Sequence, residues 1–314
     1  MKAIVTGGSG FIGSYLVAEL INEGFQVAAI GRKNIGSLPP VRKKLLQGSN
    51  YFNLDLDNPD QIHSKLKDEG FIGPDLKYFF HLAWGGNYGL SDLDIEAQTK
   101  NINRTIATYD IAQELNVNRY IFCGTMEESF AETYTDLDYK NNNKYNRHVV
   151  YALAKISARH ALKIRYAKGG PELIFGTNSH TMGPGDIRDS FLQESLTSIL
   201  NKKDIFMSSG DQIFDVINVK DCAKAYISIA NKGIPGTSYW IGSGEPRKLK
   251  EYIQIMNNLF FHVKIEYGSL PYNDVILDKK IFNTDKIKSD TGFLPKISFS
   301  DTVTQLAEFI RSNK

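Results

Sequence analysis

Tyr151 and Lys155 stand four residues apart in Tyr151-Ala-Leu-Ala-Lys155, opening a segment that reads as a helix to about Tyr166. That spacing sets both side chains on one helical face, within reach of each other. A free phenol ionises at a pH of about 10. An ammonium beside it, with the positive nicotinamide of an oxidised dinucleotide, favours the phenolate. Such a phenol can exchange a proton with a sugar or alcohol oxygen near neutral pH, and Lys155 can also hydrogen-bond the nicotinamide ribose. Alone, the pattern describes many helical surface pairs. Here it follows a strand-like run, Asn118–Cys123, that delivers Gly124-Thr125-Met126-Glu127 to the same sheet edge.

A cofactor for that chemistry needs a seat, and the amino terminus supplies one. Ala3–Thr6 is a short apolar run of β type; Gly7, Gly10 and Gly13 follow at three-residue spacing, and Phe11–Glu23 turns helical with Ile12, Leu16 and Leu20 on one face. Gly7 permits a sharp turn, Gly10 lets a pyrophosphate approach the backbone, and Gly13 lets helix pack on strand. Phe11, Ile12 and the first helical amides then face the phosphates. The next strand, Gln26–Ile30, ends in Gly31-Arg32-Lys33. An NAD-preferring fold places a carboxylate there for the ribose 2′-hydroxyl, whereas a guanidinium welcomes a 2′-phosphate. The expected cofactor is NADP(H), with NAD(H) a possible substitute. Asp55 and Leu56 end a third strand, Tyr51–Leu56, beside the adenine. Lys77–Ala83 is a strand buried on both faces that leads into a Trp84-Gly85-Gly86 loop passing the cofactor. His81 within it reads as a buried strand histidine bonded to backbone, not a catalyst.

Strands and helices alternate to about residue 232, which implies an α/β fold: a doubly wound parallel Rossmann sheet with a smaller mixed α/β substrate domain. The expected division is 1–177 with 204–232 for the dinucleotide and 178–203 with 233–314 for substrate. His180–Asp186 reads as an irregular loop. With 314 residues, 42% apolar and 23% charged, the chain is ordinary globular material. A formal net charge of +2 without long charge blocks implies neither nucleic acid nor anionic membrane as a partner. The two cysteines, Cys123 and Cys222, argue against a disulfide framework and fit a reducing cytoplasm. No signal peptide, membrane span, internal repeat or metal-ligand cluster is expected.

Together, Thr6-Gly-Gly-Ser-Gly-Phe-Ile-Gly13, His81-Leu-Ala83, Thr125, Tyr151…Lys155, Gly183-Pro-Gly185 and Phe214-Asp-Val-Ile-Asn-Val-Lys-Asp221 resemble the extended short-chain dehydrogenase/reductase family. That family includes nucleotide-sugar epimerases, dehydratases and ketoreductases. The resemblance implies that Thr125 holds the reacting carbonyl oxygen, Tyr151 is the general acid/base and Lys155 its partner. It further implies that Leu82, Ala83 and Asn101 contact cofactor, and that His180 lies near substrate and nicotinamide. Two departures matter. Dehydratases read Thr-Asp-Glu where this chain reads Thr125-Met126-Glu127, which disfavours a 4,6-dehydratase while leaving Glu127 as a base. Many members place an arginine before Asp215 to grip the substrate diphosphate; here Phe214 stands there, and either another cation such as Arg188 or Arg247 takes that role or the substrate is not a standard nucleotide sugar. The expected activity is therefore reduction of a nucleotide-linked keto sugar by NADPH. An NAD-dependent epimerase is the alternative, a dehydratase ranks below it, and a redox-sensing binding protein without chemistry is opposed by the intact Tyr/Lys pair. The resemblance also implies a homodimer paired through the Ile95–Leu115 and Tyr151–Tyr166 helices.

Overall fold

The computed structural model describes residues 1–86, 94–131, 146–186, 190–271 and 276–313, the side chains of 146–148 excepted. The first half runs β1 (Lys2–Thr6), α1 (Phe11–Asn22), β2 (Gln26–Gly31), α2 (Pro40–Leu45), β3 (Asn50–Asn53), α3 (Asp60–Asp68), β4 (Leu76–His81), α4 (Ile95–Glu114), β5 (Arg119–Thr125) and α5 (Asn146–Ala167). There follow β6 (Glu172–Asn178), β7 (His180–Met182), α6 (Phe191–Leu200), β8 (Ile205–Met207), β9 (Ile213–Phe214), β10 (Val216–Asn218) and α7 (Val219–Lys232). The chain closes with β11 (Ser238–Ile241), β12 (Arg247–Lys248), α8 (Leu249–Leu259), β13 (Ile265–Tyr267), α9 (Asp285–Thr291) and α10 (Phe299–Ser312).

Seven strands form one parallel sheet in the order β11-β6-β5-β4-β1-β2-β3. Consecutive residues of each strand face opposite sides, so both faces must be apolar to be covered by helices. Val5, Val27, Phe80 and Ile121 pack under Leu16 and Leu20 of α1 and Tyr226 and Ile229 of α7. Ile4, Phe79, Tyr120 and Phe122 pack under Ile62 and Leu66 of α3, Tyr109 of α4, and Ala158 and Leu162 of α5. This is the doubly wound Rossmann architecture expected. Strand order reverses between β1 and β4, and the crevice beyond the carboxyl ends at such a point is where dinucleotides bind.

The structure redraws several boundaries. Ser238–Ile241, which the sequence allots to the substrate part, is the outer strand of the main sheet, pairing Phe175–Asn178. Ile205–Met207, allotted to the dinucleotide part, pairs Ile265–Tyr267 instead, and its Ile205 and Met207 join a separate apolar cluster with α6, α8 and α10. His180–Met182 is not irregular but a strand paired with Val216–Asn218. The helix carrying Tyr151 starts at Asn146, a turn earlier than its sequence pattern indicates, so the tyrosine lies inside a helix and not at its first residue. The third strand ends at Asn53, leaving Asp55 in the connection that follows.

Candidate active site

The seat at the amino terminus is built by steric necessity. Gly7 has φ +72°, and a Cβ there would lie 2.7 Å from the Ala83 nitrogen and 2.8 Å from the Leu82 carbonyl carbon. A Cβ on Gly13 would collide with the Gly7 carbonyl oxygen. The turn therefore lets α1 approach β1 and β4 at backbone distance. The α1 N-cap is Gly10, with no side chain capping it. The first amides of α1 and its positive dipole end thus face the crevice, as a pyrophosphate requires. Tyr15 closes the far side by donating its hydroxyl to the Pro184 carbonyl at 2.9 Å. These residues fit a dinucleotide, which would supply or accept a hydride at the nicotinamide.

At the end of β2 stands Gly31, crowded by two side chains. A Cβ there would strike Ser9 Oγ and lie 2.6 Å from Tyr51 Oη. A side chain there would require the Ser9 and Tyr51 hydroxyls to move aside. Arg32 is exposed just beyond it and lines a cleft of about 260 Å³ with Gly85, Gly86, Lys100 and Arg104. Arg104 is gripped by both oxygens of Asp57, at 2.6 and 2.7 Å, and lies 3.9 Å from Asp55. Lys100 pairs with Glu96 at 3.0 Å. Among the described residues, no carboxylate pairs with Arg32 at ion-pair distance.

Asn101 uses both ends of its amide on Gly85, with Gln98 at 3.5 Å and Arg104 at 3.3 Å as further partners. Its Oδ1 accepts from Gly85 N–H at 2.8 Å and its Nδ2 donates to Gly85 O at 2.6 Å, so it fixes the loop after β4 and does not face the crevice freely. Trp84 in that loop donates Nε1–H to Gln98 at 2.8 Å. His81 is buried, as expected, but its partners are side-chain hydroxyls and not backbone: Thr6 at 2.9 Å and Thr108 at 3.2 Å on Nδ1, and Thr105 at 3.1 Å on Nε2. Burial pulls its pKa down to about 3, with the Lys155 charge adding to the fall, so it stays neutral.

Thr125 ends β5, Tyr151 and Lys155 lie on α5, and the packing of α5 against the strand brings all three together. The Thr125 hydroxyl lies beside that of Tyr151 and favours its ionised form. Lys155 donates from Nζ to the Cys123 carbonyl at 2.7 Å, with the Trp84 ring centroid 3.8 Å away and the Tyr151 ring centroid at 6.0 Å. Trp84 meets Tyr151 edge-on at 6.0 Å. The expectation that Lys155 makes Tyr151 more acidic does not hold in this arrangement. Burial pushes the phenol well above its ordinary value, with Cys123, Glu127 and Glu128 adding to the rise and only the Thr125 hydrogen bond opposing it. The ammonium is directed at the strand and covered by an indole. It is Lys155 itself that burial brings to about 8. Glu127 is buried in the turn after Thr125, its N–H donating to Thr125 Oγ1 at 3.3 Å. His180 lies on β7 with its N–H bonded to the Asp215 carbonyl at 3.0 Å. Arg188 lies outside the described residues.

Two residues beside this group, Glu128 and Arg159, escape the motif reading. Their signals are modest but present: Thr125-x-x-Glu128 has capping-box spacing, and Arg159 follows Lys155 by one helical turn.

A parallel sheet that offers an uncapped helix to phosphates, with a phenol and an ammonium at the mouth of the adjoining strand, is the arrangement of the extended short-chain dehydrogenase/reductase enzymes. The chain belongs to the NAD dependent epimerase/dehydratase family, whose sequence model matches residues 3–242. It is 27% identical to CDP-abequose synthase from Salmonella typhimurium, over 96% of both chains. It superposes on UDP-glucose 4-epimerase from Thermotoga maritima, solved with UDP-glucose, with TM-score 0.77 and 18% identity over 100% of this chain and 99% of that one. The dTDP-glucose 4,6-dehydratase from Bacillus anthracis, solved with NAD, also gives TM-score 0.77 at 18% identity, over 100% and 97%. Among the described residues no helix is long and apolar enough to cross a membrane.

Proposed function

We propose that this protein is an NADPH-dependent reductase of a nucleotide-linked keto sugar, with C4 of a 6-deoxyhexose as the reacting carbon. The observation that carries the cofactor assignment is the end of β2, where Gly31 presents no carboxylate and the exposed Arg32 offers a guanidinium instead. A ketone reduction needs a proton donor. Tyr151, kept protonated by burial, donates its hydroxyl proton to the developing alkoxide while Thr125 holds the same oxygen. The Lys155 ammonium anchors the helix face that carries Tyr151 to the end of β5 through the Cys123 carbonyl. Bound at the glycine turn, NADPH would supply the hydride. The dehydratase reading is weakened by Met126, which is buried with Phe130, Val149 and Phe282, in place of a carboxylic acid.

The test is to titrate NADPH and NADH and then follow cofactor absorbance against UDP-, GDP-, CDP- and dTDP-linked keto sugars. Consumption of free NADPH supports the reductase; protein purified with tightly bound NAD and no net consumption supports the epimerase. The pH profile is a second check. Lys155 loses its proton as pH rises through about 8, so kcat for reduction should fall on the alkaline side with an apparent pKa near that value. A profile flat to a pH of about 10 would contradict the role of the ammonium.

The substrate diphosphate is assigned to Arg247. Strand β12 runs antiparallel to β9 and sets Arg247 directly opposite Phe214, so its side chain rises on the face that an arginine at 214 would occupy. Arg247→Ala should raise KM for the nucleotide sugar severalfold and leave KM for NADPH unchanged. The protein is further proposed to be a homodimer through α4 and α5, on whose surfaces Ile95, Leu153 and Ile164 are exposed; light scattering at micromolar protein decides this.

A further inference from the structure

We propose that the Glu128–Arg159 ion pair is a positioning device that locks the Thr125 turn to the helix bearing Tyr151 and Lys155 and balances the charge beside the ammonium. The proposal rests on the reading of Tyr151 and Lys155 as the reacting pair. Neither Glu128 nor Arg159 belongs to the motifs that identify the family. Glu128 Oε1 accepts the Thr125 backbone N–H at 2.9 Å, and its Oε2 accepts Arg159 Nε–H at 2.6 Å. The rest of the guanidinium is also used: Nη1 donates to Ser238 Oγ at 2.7 Å and Nη2 to Thr177 Oγ1 at 3.1 Å, above the Phe175 ring. One side chain thus joins α5 to the turn after β5, to β6 and to β11.

Three features separate this arrangement from an incidental salt bridge. Both side chains are about nine-tenths buried, at 11% and 10% exposure, and buried ion pairs are seldom the most stable filling for such a space. Gly124 makes room for it, since a Cβ there would lie 2.6 Å from both Arg159 Nη2 and Glu128 Oε1. Arg159 lies one turn beyond Lys155 and two beyond Tyr151, so its bonds to Glu128, Ser238 and Thr177 anchor the helix face that carries both.

The pair also brackets Lys155 electrostatically. The groups facing that ammonium are Tyr151 and Arg159 on its own helix, Cys123 on β5, Glu128 on the turn, the neutral His81 on β4 and the Trp84 ring. After burial and Cys123, Glu128 raises and Arg159 lowers the pKa of Lys155. The two halves of one ion pair therefore act on the lysine with opposite sign, which mere loss of rigidity would not produce.

The experiment compares wild type with Glu128→Gln, Arg159→Gln and the double variant. The pKa of Lys155 is read from the alkaline limb of kcat and, independently of turnover, from ¹³C NMR of the lysine side chains, with Lys155 assigned by its loss in Lys155→Met. Expected are a downward shift in Glu128→Gln, an upward shift in Arg159→Gln and a return toward wild type in the double variant. In each single variant kcat should fall about tenfold, as misplacement of reacting groups does, with KM for NADPH unchanged. Shifts of the same sign, absent shifts, or a loss carried by KM would overturn the proposal. Should Arg159→Gln not fold, Arg159→Lys keeps the charge without the planar fork: kcat should fall while the Lys155 pKa stays put, and unchanged kcat would count against the proposal. If wild type reduces no keto sugar the functional reading fails, and the NMR titration still judges the ion pair.

Discussion

Replacing Tyr151 with phenylalanine should leave NADPH binding intact and reduce turnover by on the order of 10²–10⁴-fold, the range lost with a well-placed acid. The variant removes one oxygen. Ring packing survives, because the edge-on contact with Trp84 at 6.0 Å involves the ring and not the hydroxyl. What goes is the hydroxyl beside Thr125 and the proton that burial keeps available at that point. Cofactor affinity, read by fluorescence titration, is set elsewhere by the glycine cradle and Arg32, and should not move. Unchanged turnover would remove Tyr151 from the mechanism; lost cofactor binding would mean that the phenol supports the cleft and not the chemistry.

Arg32→Ala should weaken NADPH on the order of 10- to 100-fold and NADH little. A hydrogen bond to a charged partner contributes about 1.5–3 kcal/mol, and that energy converts to this range of affinity. The selectivity arises because NADH lacks the phosphate and gains nothing from the guanidinium. Lys100 and Arg104 line the same cleft but are already engaged by Glu96 and Asp57, so they should compensate only in part. Raised salt should weaken NADPH more than NADH in wild type and narrow that gap in the variant, since exposed charges are screened. Equal losses for both cofactors would remove the 2′-phosphate assignment, leaving the family membership untouched.

Much of the site was legible before folding was considered. Glycines at 7, 10 and 13 matter through the spacing of one turn and one helix. Tyr151 and Lys155 share a face because helical periodicity makes residues four apart neighbours. Phe79 and Phe80 mark a strand buried on both sides because adjacent strand residues point oppositely. Boundaries were less legible. The helix extends back to Asn146 through Asn-Arg-His-Val-Val, a stretch too short to show an apolar period, and His180–Met182 looks broken next to Gly183-Pro-Gly185, yet pairs with Val216–Asn218 through its backbone. Backbone pairing leaves no mark on side-chain pattern when the partner is remote.

Local sequence is enough for the sheet-and-helix alternation, the phosphate cradle and the phenol–ammonium pair, because each depends on contacts within a few residues. The packed chain settles the rest. Gly31 is crowded by Ser9 and Tyr51 from two other segments. Trp84 comes to rest on Lys155 across the sheet edge. Ser238–Ile241 returns to complete the sheet after the chain has already left it. Burial, and not the neighbouring lysine, sets the proton on Tyr151. Burial and long-range approach depend on every element at once, and no local spacing encodes them.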